Sequence, residues 1–316
     1  MLKKQYLASS LLTLLALAFC SCNAPRSMLI SGKVVPKNEV RFGRNYTFNF
    51  SSAPIEHSVK GTYDLVNYLS KTDTVAYSQQ VQDLNATFIA YCLDPIVYNT
   101  ETFFRYGLGH HLDMGFKSTG GATAFDMNYQ FLGSNKNFNE SDIGGMYGSI
   151  GLQYSWENYR FVNIHMFDKI QNLFGLQMSR KDLTVPLVFS KSFGPEERVG
   201  CFSFGLVYSH SFVTYKISTK DIYYMSQSTN IPGNLLAPVS GKMDYGAYGA
   251  FLNLKIGKKY IFFNISIAAY YQNYGRYTLL GGNTILLKGI SIIPSYGFQF
   301  NILPKGKKKI PAGTEI

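Results

Sequence analysis

Thr123-Ala124-Phe125-Asp126-Met127-Asn128-Tyr129-Gln130-Phe131 is the stretch that decides how this chain is read. Phe125, Met127, Tyr129 and Phe131 alternate with Ala124, Asp126, Asn128 and Gln130. Successive side chains of a strand point to opposite faces, so these residues predict a strand with one apolar and one small or polar face. The same alternation returns in residues 40–50, 104–108, 112–117, 146–156, 183–193, 202–209, 248–256, 261–271 and 290–302, which brings the total to ten segments. Two flaws stand out: Arg44 interrupts the apolar face of the first segment, and Pro186 is awkward for a hydrogen-bond ladder.

The polar face of these segments separates two all-β readings. A secreted β-sandwich alternates in the same way but puts Lys and Glu on its wet face. Here that face is mainly Ser, Gly, Asn and Gln, and Tyr154, Trp156, Phe48, Phe50, Tyr270 and Tyr271 gather at one end of their segments. That pattern predicts an antiparallel transmembrane β-barrel of about ten strands, with aromatic residues at the membrane interface. In lipid every backbone donor needs a partner, so such a sheet must close. No run of about 18 apolar residues lies beyond the N-terminal stretch, so no transmembrane helix competes with the strands.

Connection lengths test the reading independently. With the N-terminus in the periplasm, the outer connections are 51–101, 119–121, 157–182, 217–242 and 275–288, and the inner ones 108–110, 133–144, 194–199 and 257–259. Long loops outside and short turns inside are the rule for outer-membrane barrels, and one connection on each side departs from it. Residues 51–101 are too long for a plain loop. Val59, Tyr63, Val66 and Leu69, then Val81, Leu84, Phe88 and Tyr91, predict helices that cap the barrel or plug its mouth. The alternative is a strand pair hidden in Thr87–Tyr98, which would raise the count to twelve. Residues 160–174 also fit a short amphipathic helix.

At the N-terminus, Lys3 and Lys4 precede the mostly apolar stretch Leu7 to Phe19, the charge and h-region of an export signal. Phe19-Cys20-Ser21-Cys22 resembles the lipobox of bacterial lipoproteins. Ser21 occupies the small-residue position of that family and Phe19 departs from its Leu, so the resemblance makes Cys22 the acylated residue. Together with the Gly-aromatic strands and Phe104-Arg105-Tyr106-Gly107-Leu108, the chain resembles lipid-anchored outer-membrane β-barrel proteins of Bacteroidota-type Gram-negative bacteria. Asp73-Thr74-Val75 looks like the O-glycosylation acceptor of those bacteria. The resemblance implies an outer-membrane location with an acyl anchor on the periplasmic side, and no particular function. The expected organisation is a signal peptide over 1–21, a periplasmic linker over 22–39, a barrel over 40–303 and a basic periplasmic tail over 304–316.

Removing residues 1–21 takes two of the 30 bases and none of the 19 acids, which leaves 28 against 19, a net charge of +9. The bases are dispersed except for Lys305, Lys307, Lys308 and Lys309, and an exported protein rarely meets nucleic acid. Outer-membrane lipids, and other envelope proteins, are the expected partners. Cys92 and Cys201 could form a disulfide, but two residues make no framework, and two unpaired cysteines are the simpler expectation.

Chemistry is scarce. No nucleophile elbow, metalloprotease helix or phosphate-cradling glycine loop is present, and the sequence calls for no cofactor or metal. His110 and His111 are adjacent on a strand end and point apart, while His165 and Asp168 form at most a surface pair. The expectation is a non-enzymatic barrel that binds or passes small solutes or serves as a structural or assembly component. An enzyme with residues at the extracellular rim is the alternative. One inward cluster stands out. If Leu108-Gly109-His110 is a three-residue turn, Arg105 stands opposite Asp113, and Asp126 and Lys117 join them on neighbouring strands. Arg105, Asp113, Lys117 and Asp126 then form either a selectivity constriction or a structural bridge. The narrowness of a ten-strand barrel favours the bridge.

Overall fold

The computed structural model describes residues 26–53, 75–76, 79–134, 145–160, 174–219, 222–225 and 232–303. Ten strands carry the fold: β1 (Val40–Ser51), β2 (Val97–Gly107), β3 (Leu112–Ser118), β4 (Ala122–Leu132), β5 (Met146–Arg160), β6 (Phe174–Ser192), β7 (Gly200–Thr219), β8 (Val239–Lys258), β9 (Ile261–Thr278) and β10 (Thr284–Ile302). Every neighbour is antiparallel, and β1 pairs with both β2 and β10, which closes the barrel. Each of the ten segments read from alternation is one of these strands.

Closure puts the two faces of each strand in different solvents. Phe125, Met127, Tyr129 and Phe131 are exposed on the outside, while Ala124, Asp126 and Gln130 are buried within. Around the wall Leu206 is 63% exposed, Tyr248 64% and Ile261 56%, an apolar belt that water would not tolerate on a monomer but hydrocarbon covers. Arg44 does face outward, and its guanidinium lies 5.9 Å from the Tyr46 ring, which gives that cation a partner on the lipid side. The proline flaw is also accommodated. Pro186 pairs with Val207 of β7, and pairing toward β5 is interrupted between Ile150 and Gln153. Gly151 stands at that gap, where a β-carbon would lie 2.9 Å from the proline ring.

A helix, α1 (Gln79–Leu93), precedes β2. Thr87 lies within it, so no strand pair occupies Thr87–Tyr98 and the barrel has ten strands rather than twelve. The buried face of α1 runs through Val81, Asn85, Ile89 and Leu93, a spacing of four, whereas the sequence reading put the stripe on Val81, Leu84, Phe88 and Tyr91. Val81, Ile89 and Leu93 pack with Tyr215, Ile217, Tyr245, Tyr274, Tyr277 and Leu287 from the upper inner wall, so the helix caps the outer mouth. The expected helices at 59–69 and 160–174 and the Asp73-Thr74 acceptor lie outside the described residues, apart from strand ends. Val75–Ala76, Ile222–Met225 and Pro232–Leu235 form a separate three-stranded sheet.

The largest departure from expectation lies ahead of β1. Residues 26–39, expected as a periplasmic linker, run up the inside of the barrel. Met28, Val34 and Val35 are buried there, and so is Lys33. Apolar side chains that have no place in a solvated linker lie against the inner wall instead: Met28 packs with Val188, Val207, Phe251, Ala268, Tyr270 and Ile293.

Candidate functional site

The site is the filled lumen, and its parts follow the ascending segment from bottom to top. At the lower rim Asn38 N–H donates to the Gly107 carbonyl at 3.0 Å, and Gly107 N–H donates to the Glu39 carbonyl at 3.1 Å. Only glycine fits at 107, since a β-carbon there would lie 2.0 Å from the Pro36 carbonyl oxygen. Higher up, Val35 N–H donates to Asp113 at 2.8 Å, Val34 N–H to Gln130 at 3.1 Å and Gly32 N–H to Ser190 at 3.1 Å. Asn253 and Ser266 then donate to the carbonyls of Ile30 and Met28, both at 3.0 Å, and Tyr270 to that of Arg26 at 3.2 Å. The backbone of this extended segment thus finds partners on strands all round the wall, which a buried irregular segment requires.

Three charged clamps hold it. One uses the β6–β7 turn, where Glu196 and Glu197 adopt left-handed φ of 52° and 58°. Such a backbone costs a non-glycine residue about 1–2 kcal/mol, and here it turns both carboxylates inward. Glu196 pairs with Lys33 and accepts from Ser134 at 3.0 Å. Glu197 pairs with Lys255 and accepts from Ser31 and Ser190, each at 3.1 Å. Burial alone would raise the Glu197 carboxyl, but Lys255 first and Arg41 next outweigh it and hold it down at about 2.

The second clamp is the cluster read from sequence, in a different register. Leu108 N–H donates to the Leu112 carbonyl, so the tight turn is Gly109-His110-His111 rather than Leu108-Gly109-His110. Pairing is therefore shifted by two: Gly107 faces Asp113, and Arg105 faces Gly115. Arg105 still reaches Asp113 diagonally at 2.8 Å and also pairs with Asp126. Gly115 leaves the space for this, since a β-carbon there would lie 2.8 Å from the Asp126 carboxylate. Lys117 is buried on the same inner wall and lines the residual cavity with Arg105 and Asp113, but it forms no ion pair among the described residues. The cluster therefore closes on three of its four expected members.

The upper clamp was not foreseen. Asp94, just past α1, takes Arg26 at 3.1 Å and accepts from Asn49, Gln272, Tyr274 and Ser291. Its burial would raise the carboxyl, yet Arg26 and these donors hold it below the usual carboxylate range. Beside it Arg180 pairs with Asp182 at 2.7 Å and donates to the Leu93 carbonyl at 2.9 Å, tying the wall to the end of the cap. A cavity of about 40 Å³ lies open along the segment, lined by Ser27, Lys33, Arg41, Glu101 and Lys117 among others, enough for a few waters.

Of the remaining sequence-derived residues, Cys22 lies outside the described residues. Cys92 and Cys201 are buried and form no disulfide. His110 and His111 are both exposed at the lower turn. His210 faces outward near the upper interface, 3.4 Å from Asp244.

A closed ten-strand barrel with an apolar outer belt and a filled polar interior defines the class: a membrane-spanning barrel of the outer-membrane type. No protein-family model and no curated protein matches the chain. Among solved structures it is similar to Ail, the attachment invasion locus protein of Yersinia pestis, at 9% identity, covering 84% of this chain and 99% of that one with a TM-score of 0.31. Neisserial surface protein A aligns at 7% identity over 83% and 95% of the two chains, with a TM-score of 0.29. OprG of Pseudomonas aeruginosa aligns at 7% identity over 87% and 100%, with a TM-score of 0.27. Overlaps this weak add nothing to the fold, which rests on the strand pairing itself.

Proposed function

We propose that this protein is a non-enzymatic outer-membrane lipoprotein whose barrel is a sealed structural body that holds its own N-terminal segment, rather than a conduit for solutes. The observation that carries the reading is the path of residues 26–39, bonded to the wall from the lower rim to the level of Asp94. Among the described residues α1 lies across the outer mouth, and the cavity beside the segment, about 40 Å³, has room for waters rather than for a larger solute. Buried pairs at three levels are costly to break, which suits a permanent occupant better than a gate. Of the two readings of the Arg105 cluster, this favours the structural bridge.

Acylation of Cys22 is part of the proposal and rests on the lipobox resemblance. The proposal also concerns the side of the anchor, which the sequence alone put in the periplasm. Arg26 lies beside Tyr270, nine residues up β9 from Ile261, roughly 23 Å above the lower rim at ordinary strand rise and tilt. Cys22 is four residues further on and can reach at most about 14 Å from Arg26. With 26–39 seated, that reach falls short of the lower rim, which favours an anchor on the outer side over a periplasmic one. Two measurements test the reading. The intact protein in a planar bilayer should show no steady ion conductance, and an open-channel conductance would sink the sealed-body reading. A cysteine replacing Ala24, in a background lacking other free thiols, should react with an impermeant reagent on whole cells. Labelling only after the envelope is opened would return the segment to the periplasm.

A further inference from the structure

Outward-facing residues change character where the strands rise past the aromatic level. Phe212, Tyr248, Tyr271 and Ile290 are exposed to lipid on β7, β8, β9 and β10. Level with them or above, the outward positions are Lys181 on β6, Lys216 on β7, Lys242 on β8, Arg276 on β9 and Lys288 on β10, all exposed. None of these five forms an ion pair among the described residues. One outward acid, Asp244, stands near them and is taken by His210. The opposite wall offers no counterpart: at this height β1 to β4 present Phe50, Tyr98, Thr100, Ser118 and Thr123 among the described side chains. The basic residues thus form a one-sided patch on five consecutive strands.

Register makes two close pairs within it. Lys216 faces Ser240 and Lys242 faces Thr214, so the two lysines are diagonal neighbours. Lys288 faces Asn273 and Arg276 faces Leu286 across the irregularity at Gly275, which makes them diagonal as well. Diagonal β-carbons lie about 7–8 Å apart, near enough for two cations to share one phosphate and to repel each other when nothing lies between. Below each pair the same strands present apolar side chains: Phe212 and Tyr208 on β7, Tyr248 on β8, Tyr271 and Ile267 on β9, and Ile290 and Ile292 on β10.

We infer that the upper outer wall of β6–β10 binds a phosphorylated, multiply acylated glycolipid of the outer leaflet, with the two basic pairs on its phosphates and its acyl chains against the apolar belt beneath. A free phosphate would need only the cations; the continuity of basic pair and apolar strip favours the lipid. Anionic headgroups and basic residues at a membrane surface attract each other with the salt dependence of any screened interaction. The inference rests on the barrel's place in the membrane and not on the sealed lumen.

The test uses the full chain in mixed micelles, with bisphosphorylated lipid A and its dephosphorylated form as probes. Binding of the bisphosphorylated lipid should weaken at least about tenfold in the K216Q/K242Q/R276Q/K288Q variant, and raised salt should weaken it in the parent protein. The dephosphorylated lipid should bind parent and variant alike. All four side chains are exposed, so the variant should keep its β-rich circular dichroism and heat-modifiable gel migration. Equal binding of the two lipids by the parent, or undiminished binding by the folded variant, would overturn the assignment. So would competition by inorganic phosphate at concentrations comparable to the lipid, which would make the patch a phosphate site alone.

Discussion

Replacing Arg105 by alanine would leave Asp113 and Asp126 without their shared cation. The Arg105 side chain is 11% exposed and the two carboxylates 2% and 5%, so water cannot replace it. An exposed pair would contribute about 0–1 kcal/mol, whereas stripping one partner from a buried pair costs about 3–5 kcal/mol. Arg105→Ala should fall in the second range, read as a lowered urea midpoint for the refolded protein in detergent micelles. The second substitution distinguishes the two acids. Asp126 has an oxygen with no hydrogen-bond partner among the described residues, and Arg105 is the cation it pairs with. Asp113 also accepts the Val35 N–H and the Asn128 amide, so it anchors the lumen segment as well. Asp126→Asn should therefore recover more of the Arg105→Ala loss than Asp113→Asn does, with a coupling of at least about 1 kcal/mol in the first cycle. Losses that add to within about 0.5 kcal/mol for Arg105 and Asp126 would show that the pair does not interact and would refute the reasoning.

Glu197 is held at about 2 against an ordinary carboxyl at 4.5, so its pairing stabilises the fold fully above pH 4.5 and is lost as pH falls toward 2. That depression corresponds to roughly 3 kcal/mol of pH-dependent stability at most; Glu197→Gln should flatten the acid limb of a denaturation series, and an unchanged limb would count against the clamp. Gly32→Leu should expel the lumen segment, because a β-carbon at 32 would lie 2.6 Å from the Tyr147 carbonyl oxygen; limited proteolysis should then cut within 26–39 while the barrel survives, and an uncut segment would be the contrary result. Oxidised and reduced protein should run alike on gels, since Cys92 and Cys201 form no disulfide; a mobility difference would mean that they do.

The strands were legible because alternation is a local signal, repeated ten times and checked by connection lengths. Turn register was less so. Leu108-Gly109-His110 and Gly109-His110-His111 are both three-residue turns, both keep side chains on the correct faces, and only packing selects between them. The lumen segment escaped because it has no period: an irregular chain hydrogen-bonded to many different strands leaves no regular mark on its own sequence. Its composition held a clue, since Met28-Leu29-Ile30 and Val34-Val35 are too apolar for a solvated linker. Glu196 and Glu197 gave another, as adjacent acids in a short turn acquire meaning only with Lys33 and Lys255 beside them. Asp94 and Arg26 are 68 residues apart, and nothing local joins them.

The central claim is that residues 26–39 occupy the lumen, and cross-linking within the upper half of that path tests it most directly. Ser266 donates to the Met28 carbonyl at 3.0 Å, well above the lower rim on β9. Met28→Cys with Ser266→Cys, in a background lacking Cys92 and Cys201, should join through a short thiol-specific cross-linker in native membranes. Cross-linking should leave both positions closed to impermeant reagents from either side. Failure to cross-link, with residue 28 freely labelled from the periplasmic side of opened envelopes, would contradict the account.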